Sequence, residues 1–186
     1  MIVRAPLLFL IVLFLLLIIA PLLVPYDPMR TDPANQLQPP NADHVLGTDL
    51  LGRDVLSRAL AGGQHTLLIA ALATLIAVVP GVLVGLVAAV GTMDRIVGVL
   101  LNALLAFPGL LLALLLLTLL GQGAIPLALA TGCTQIAPCA RVTRSALIAV
   151  RALGYIEAAS SLGASQFRVV IYHILPNILP TILAYT

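Results

Sequence analysis

The sequence predicts an all-α, polytopic membrane protein with four complete spans and the start of a fifth. Of its 186 residues, 61% are hydrophobic and 9% are charged, and the mean hydropathy is +1.16. Soluble domains have about 45–50% apolar and about 25% charged residues, so a single small core cannot hold this excess. Several apolar runs also reach the roughly 20 residues that a transmembrane helix needs.

The first apolar run, from Ala5 to Val24, is expected to be a retained membrane anchor. A signal peptide is the alternative, but its apolar region is only about 7–15 residues long and a small-residue cleavage site follows it. Neither feature fits this run. A polar, proline-rich loop is expected from Pro25 onward, because clustered proline and aspartate favour turns.

Beyond this loop, the segment HVLGTDLLGRDVLSRAL (residues 44–60) predicts a short amphipathic helix. Thr48 is placed to cap it, and Asp49–Arg53 and Asp54–Arg58 are pairs of opposite charge at i,i+4 spacing. We expect the helix to lie against the membrane or the helix bundle. An ordinary surface helix before the next span is the alternative.

Three further complete spans are predicted, at Thr66–Val90, Ile96–Leu120 and Ala124–Ala140. In the first of them, Gly81 and Gly85 form a G-x-x-x-G pattern, which permits close contact between helices. The last apolar run starts near Ile174 and is too short to cross a bilayer comfortably. We therefore expect a fifth span that is truncated.

Arginines near the span ends predict that the N-terminus is cytoplasmic. In that orientation the cytoplasmic segments carry six arginines and the outer segments carry three, beside five aspartates. Cytoplasmic loops of membrane proteins are enriched in basic residues. The stretch of residues 154–170 is therefore expected in the cytoplasm.

The charged and metal-binding residue types exclude several functions. All nine basic residues are arginine, and a P-loop needs a lysine to reach the β- and γ-phosphates, so this chain does not bind ATP in that manner. The net charge of +2 gives no support for nucleic-acid binding. Cys133 and Cys139 are six residues apart on a helix and face different sides, so we expect no metal site, and no cofactor motif is present.

The polar stretch GYIEAASSLGASQFRVV (residues 154–170) predicts a helix–turn–helix hairpin. Gly163 can take the left-handed conformation that ends a helix, and Ser165 can cap the next one. The predicted apolar stripes are Ile156, Ala159 and Leu162 before the turn, and Phe167, Val170, Ile171 and Ile174 after it. The exposed side carries small residues and one carboxylate, Glu157, so it is either a surface that another protein approaches closely or an ordinary loop between spans.

This hairpin resembles the EAA loop of ATP-binding cassette importer permeases. The matching residues are Glu157-Ala158-Ala159, then Gly163, then Leu175-Pro176. The family pattern has isoleucine at the position of His173. The run HILPN, which here begins at His173, is common in the peptide/nickel branch of that family.

Two other segments are similar to the same branch. Residues 44–54, HVLGTDLLGRD, look like the HPLGTDxxGRD segment of its C-type subunits. Residues 104–108, LLAFP, match a further family segment, in which an aspartate often lies just upstream and this chain has Asn102.

The resemblance implies a type I importer transmembrane fold. Residues 1–62 would hold the anchor, an extracytoplasmic loop and the amphipathic helix, and residues 63–186 an incomplete transmembrane domain with a cytoplasmic hairpin at 154–173. The implied ATPase-docking residues are Glu157, Ala158, Ala159, Gly163, Ala164 and Ser165. Asn102 and Gln135 are the candidates for a substrate path.

The implied function is that of a permease subunit in the bacterial inner membrane, which moves a di- or oligopeptide or nickel solute. Its implied partners are a second permease subunit, cytoplasmic ATP-binding subunits, an extracytoplasmic solute-binding protein and membrane lipid. The chain itself would not be an enzyme, because ATP hydrolysis would take place on partner chains.

A secondary transporter and a non-transporting fragment are the alternative functions. A secondary transporter usually has carboxylates or histidines within its spans, and the four predicted complete spans contain neither. Their polar residues, such as Asn102 and Gln135, are of a kind that also forms hydrogen bonds between helices. A truncated, non-transporting permease fragment is the other alternative. The run LAGGQ (residues 60–64) resembles the LSGGQ signature of the ATPase, but it adjoins a span in a chain without a P-loop, so we interpret it as a chance match.

Overall fold

The computed structural model describes residues 26–88 and 93–185, with residues 12, 14, 15, 17–20 and 22 of the first apolar run, which are helical. Most of the predicted anchor therefore lies outside the described residues. Within 26–88 and 93–185 the chain is largely helical, and the one β interaction is an isolated bridge between Thr48 and Asp54. The chain forms two compact units, Met1–Leu68 and Ile69–Thr186.

The described helices run in simple order along the chain. After a short 3₁₀ turn (Pro33–Asn35), those from residue 55 onward are α1 (Val55–Ala88), α2 (Met93–Ala106), α3 (Gly109–Leu120), α4 (Ala124–Arg151), α5 (Gly154–Ser161), α6 (Gln166–Val169), a π-helical turn (Val170–Ile174) and α7 (Leu175–Tyr185). In the second unit α4 is central, since it contacts α2, α3, α5 and α7.

The structure has fewer helices long enough to cross a membrane, among the described residues, than the four complete spans that the sequence predicts. By length and composition, the helical stretches Val55–Val87 and Gln166–Tyr185 are able to cross a membrane. The predicted span Ile96–Leu120 is two helices that meet at 82°, and they make a third candidate if they are taken together. Four complete spans are therefore not confirmed among the described residues.

The break in the third predicted span lies at Phe107 and Pro108. A residue before proline is driven out of the helical conformation by the proline ring, so α2 ends at Ala106. Pro108 then caps α3 with φ −59° and ψ 116°. The sequence reading, which carried one helix through Pro108, was wrong at this point.

The second helix of the predicted hairpin and the last apolar run are one continuous helical stretch. It runs from Gln166 to Tyr185, which is 20 residues, and has no break near Ile174, where the fifth span was predicted to start. The continuity comes from the π-helical turn, in which the backbone N–H of Leu175 donates to the carbonyl of Val170.

The first described helix begins later than predicted. Thr48 is not its cap; α1 begins at Val55, because the Asp54 carboxylate accepts hydrogen bonds from the backbone N–H and the hydroxyl of Ser57, both at 2.7 Å. The predicted Asp49–Arg53 ion pair is confirmed at 2.9 Å. The predicted Asp54–Arg58 pair is wrong.

Longer-range partners replace that second pair. Arg58 bonds the Asp49 carboxylate, and the Asp54 carboxylate lies 3.0 Å from Nδ1 of His44. Asp54 is only 4% exposed, so its carboxylate is stabilised by His44 and Ser57 and not by water. We call residues 26–54 the polar loop.

Two glycines allow the polar loop to fold back on itself. Gly47 and Gly52 both have φ +73°, a left-handed conformation that L side chains rarely adopt. A Cβ at Gly52 would overlap the backbone carbonyl of Asp32, and one at Gly47 would overlap that of Gln38. The G-T-D-L-L-G spacing is thus explained by two tight turns against neighbouring backbone.

We expect the polar loop to lose its order in acid. Desolvation opposes the ionisation of Asp49. Hydrogen bonds outweigh this effect and lower the pKa of Asp49 to about 2; they come from the backbone N–H groups of Arg53 and Leu51 and from the Arg53 guanidinium. A carboxylate whose pKa is lowered by folding stabilises the fold above its unfolded value of about 3.9, and this stabilisation is lost as the pH falls through the folded-state pKa. The loop should therefore be ordered at neutral pH and loosen between about pH 4 and pH 2.

The ¹⁹F signal of a fluorotyrosine at position 26 measures this transition, because the Tyr26 ring lies 4.9 Å from that of His44. Asp49→Asn is the matched variant. It should show a loosened loop already at pH 7, with the change between pH 4 and pH 2 diminished. A variant that matches the native signal at every pH would contradict the role of Asp49.

The G-x-x-x-G prediction is confirmed where α1 meets α4. A Cβ at Gly81 would lie 2.8 Å from Cβ of Cys139, and a Cβ at Gly85 would lie 2.7 Å from the carbonyl oxygen of Ala140. From the other side, a Cβ at Gly132 would lie 2.8 Å from the carbonyl oxygen of Ala73. Glycines on both helices thus bring the two backbones into direct contact.

Candidate functional site

The predicted helix–turn–helix hairpin is present at residues 154–169. Helix α5 ends at Ser161, and Gly163 turns the chain with φ +87°. Ser165 then caps α6, since its hydroxyl accepts a hydrogen bond from the backbone N–H of Arg168 at 3.4 Å. Both local predictions, the left-handed glycine and the serine cap, are confirmed.

The hairpin is anchored by a small apolar core. Ile156 of α5 and Val169 of α6 are each 5% exposed and belong to one cluster with Leu147 of α4 and Ile174. Val169 and Ile174 are five residues apart and face the same side, because the π-helical turn bonds residues i and i+5. The hairpin is therefore held against α4 and joined to α7.

The predicted apolar stripes are only partly right. Leu162 is 89% exposed and Phe167 is 77% exposed. Leu162 follows the last residue of α5 and so leaves the helical register at the turn, and Phe167 points away from the cluster because the π-helical turn moves the buried side to Val169. Helical spacing alone does not account for either change.

The candidate docking residues all lie within the hairpin, and we call this set of six residues, with the turn they enclose, the hairpin face. Glu157, Ala158, Gly163 and Ser165 are exposed, and Ala159 and Ala164 are half-buried. Apart from its two chain neighbours, no described residue has an atom within 4 Å of where a Cβ of Gly163 would be.

The exposed side chains of Leu162 and Phe167 lie on either side of the glycine turn. Single exposed apolar side chains are ordinary on a protein surface, but here two large ones flank a turn made of small residues. The hairpin face thus combines room for close approach, apolar area and one carboxylate.

A polar contact missed from the sequence links the hairpin to α7. The side-chain amide of Asn177 donates to the hydroxyl of Tyr155 at 3.1 Å and to the carbonyl of His173 at 2.6 Å. The Tyr155 ring also meets the His173 ring edge-on, with centroids 6.3 Å apart. His173 and Asn177 of the HILPN run therefore contact α5. The sequence does not indicate the hydrogen bond between Asn177 and Tyr155, because the two residues are 22 positions apart.

The two candidates for a substrate path lie in different places. Gln135 lines a cavity of about 580 Å³ between the bent α2–α3 pair and α4, together with Phe107 and Thr134, and it accepts a hydrogen bond from the hydroxyl of Tyr185 at 3.2 Å. Asn102 instead lines a pocket with arginines. The structure does not bring these two residues together, so the path through them stays a prediction.

Comparison with known proteins gives two family matches. Residues 81–186 match the model for the binding-protein-dependent transport system inner membrane component. Residues 5–40 match the model for the N-terminal transmembrane domain of oligopeptide transport permease C. The first of these matches covers more than half of the chain.

Curated relatives agree with these models. A dipeptide transport system permease protein of Bacillus subtilis is 34% identical over 181 residues, which cover 96% of this chain and 57% of the relative. A glutathione transport system permease protein of Pectobacterium atrosepticum is 34% identical over 181 residues, with 93% and 60% covered. A di/tripeptide transport system permease protein of Pseudomonas aeruginosa is 35% identical over 178 residues, with 89% and 59% covered.

The chain spans about 60% of the length of the curated relatives it matches. The matches confirm the resemblance that the EAA segment, the HILPN run and residues 44–54 indicated. The helical fold, the hairpin and the match over residues 81–186 together place this chain in the family of binding-protein-dependent transport system inner membrane components.

Proposed function

We propose that this chain is a permease subunit of an ATP-driven importer of short peptides, and that the hairpin face receives a cytoplasmic ATPase subunit. The observation that carries this proposal is the hairpin face itself, which is exposed, small at its turn and joined to α7 by continuous helix. The chain has no lysine for a P-loop. Energy from ATP would therefore reach it from another chain.

Contact chemistry supports an attached protein at this face. The Glu157 carboxylate makes no hydrogen bond or ion pair with another described residue. It lies in the first turn of α5, where a negative charge is favoured by the helix dipole. A basic side chain of a partner would find this carboxylate available. Leu162 and Phe167 supply apolar area on either side of the turn.

The link between Tyr155 and Asn177 gives a physical route for motion. A displacement of α5 would be transmitted to α7 through this hydrogen bond, through the Tyr155–His173 contact and through the shared core of Ile156 and Ile174. Packed elements move as units because interiors are dense and do not deform continuously.

The names of the relatives favour peptides over nickel as the solute. The three relatives described above are named for dipeptide, glutathione and di/tripeptide transport. In the proposed assembly, a second permease subunit completes the path, an extracytoplasmic solute-binding protein delivers the peptide, and the N-terminus is cytoplasmic. The division into residues 1–62 and 63–186 belongs to the same proposal, with the polar loop outside.

Uptake by an assembled transporter tests this function. The chain would be co-reconstituted in proteoliposomes with candidate partner subunits from the same genome, and uptake of a labelled dipeptide and of ⁶³Ni²⁺ would be measured with and without ATP. We expect ATP-dependent accumulation of the dipeptide only. ATP-independent uptake would instead indicate a secondary transporter, and ATP-dependent nickel uptake would reverse the assignment of the solute.

A further inference from the structure

A basic pocket lies between α2 and α4. It has a volume of about 530 Å³, and its polar walls are Arg95 and Asn102 of α2 with Arg141, Arg144 and Ser145 of α4. Nη2 of Arg144 would lie 4.0 Å from a Cβ at Gly98, so this guanidinium reaches across from α4 to α2. The arginines of two helices thus converge on one pocket.

The pocket holds more positive than negative charge. The described side chains that line it include no carboxylate. Asp94 precedes Arg95 in the sequence, and its side chain is outside the described set; with its charge counted in full, three arginines still leave a net charge of +2. Glu157, the one acidic residue after Asp94, lies on the hairpin face. This excess positive charge attracts an anion, which has to come from outside the chain.

The donors present suit a phosphate group. Guanidinium groups bind phosphate oxygens with two parallel hydrogen bonds, and both Arg95 and Arg141 are exposed at the pocket. Asn102 and Ser145 add neutral donors, one on each helix. We propose that this pocket binds the phosphate of an anionic phospholipid headgroup.

The surroundings favour a lipid over free phosphate. On α2, Ile96, Val99 and Leu100 are 58%, 63% and 58% exposed, and Val99 also lines the pocket. An apolar surface that adjoins a phosphate-binding pocket gives the acyl chains of the same lipid a place to lie. Basic pockets between membrane helices bind acidic headgroups in this way.

Native mass spectrometry of the full purified chain tests the proposal. The chain would be titrated with phosphatidylglycerol, with phosphatidylcholine of the same acyl chains and, separately, with inorganic phosphate. The test variant is Arg95→Gln/Arg141→Gln, with each single variant beside it. The matched control is Arg168→Gln, which removes an exposed arginine outside the pocket.

We expect phosphatidylglycerol to bind about tenfold more tightly than phosphatidylcholine, and the double variant to lose this preference. Each single variant should lose part of it, and Arg168→Gln should keep it within about twofold. Because Arg95 and Arg141 are exposed, the variants should keep the native helix content by circular dichroism.

Equal binding of the two lipids by the native chain would overturn the proposal. An equal loss in Arg168→Gln would show that general surface charge is responsible. Millimolar inorganic phosphate that binds the native chain and displaces the lipid would make this a site for a soluble anion instead. None of these outcomes depends on whether the chain transports peptides.

Discussion

Gly85→Ala should destabilise the chain, although alanine is the better helix former. The added Cβ would lie 2.6 Å from Cβ of Thr143 and 2.7 Å from the carbonyl oxygen of Ala140. A backbone oxygen cannot rotate away as a long side chain does, so α1 and α4 must separate. We expect a loss of about 1–3 kcal/mol, even after the gain of up to about 1 kcal/mol in helix propensity.

The matched control is Gly62→Ala in the same helix. Among the described residues, no atom beyond the local helix lies within 4 Å of a Cβ there, so the gain in helix propensity should dominate, and stability should be unchanged or slightly higher. Thermal unfolding in detergent, followed by circular dichroism, compares the two variants. Equal melting temperatures would contradict the close crossing of α1 and α4.

Gly163→Asn and Gly163→Val should affect ATPase binding alike but the hairpin differently. At φ +87°, asparagine is tolerated, whereas a β-branched valine costs about 1–2 kcal/mol and distorts the turn. The space at this position is open, so neither side chain meets an obstacle within the described chain. Both would stand where a partner's backbone approaches.

Co-purification with candidate ATP-binding subunits measures the binding, and circular dichroism measures the fold. We expect the asparagine variant to keep the native fold and lose ATPase binding by about tenfold or more, which is the effect of disrupting the centre of an interface. The valine variant should lose binding and some stability. If the asparagine variant binds the ATPase as the native chain does and only the valine variant loses binding, Gly163 is needed for the turn alone. The proposed close approach of the ATPase to Gly163 would then be wrong.

The hairpin was predictable because its signals are local. A glycine after a helical stripe and a serine before the next stripe specify an end and a start through contacts within a few residues. The same holds for Gly81 and Gly85, whose spacing on one helix already marks a surface for close contact. Such features need no knowledge of the distant chain.

The start of α1 was not predictable in this way. The i,i+4 spacing of Asp54 and Arg58 suggested a pair on a helix, but Asp54 bonds His44, ten residues before it, and so becomes a cap. Turns at Gly47 and Gly52 make this return possible, and sequence spacing does not show which backbone each glycine approaches. Tertiary contacts override the local pattern.

The substrate path shows the same limit. Asn102 and Gln135 share only that both are polar residues within predicted spans. The bend at Pro108 and the packing around α4 place them in separate pockets, and helix periodicity carries no information on which neighbour a side chain meets. The path remains a prediction for Gln135 and for Asn102 separately.

Photo-cross-linking from Ser161 tests most directly whether the hairpin face receives an ATPase. Ser161 is exposed on the hairpin, and a photoreactive amino acid would replace it in a complex with candidate ATP-binding subunits that hydrolyses ATP. The control is the same substitution at Val45, which is 60% exposed in the polar loop. We predict an adduct with the ATPase from position 161 and none from position 45; an assembled complex with no ATPase adduct from position 161 would contradict the account.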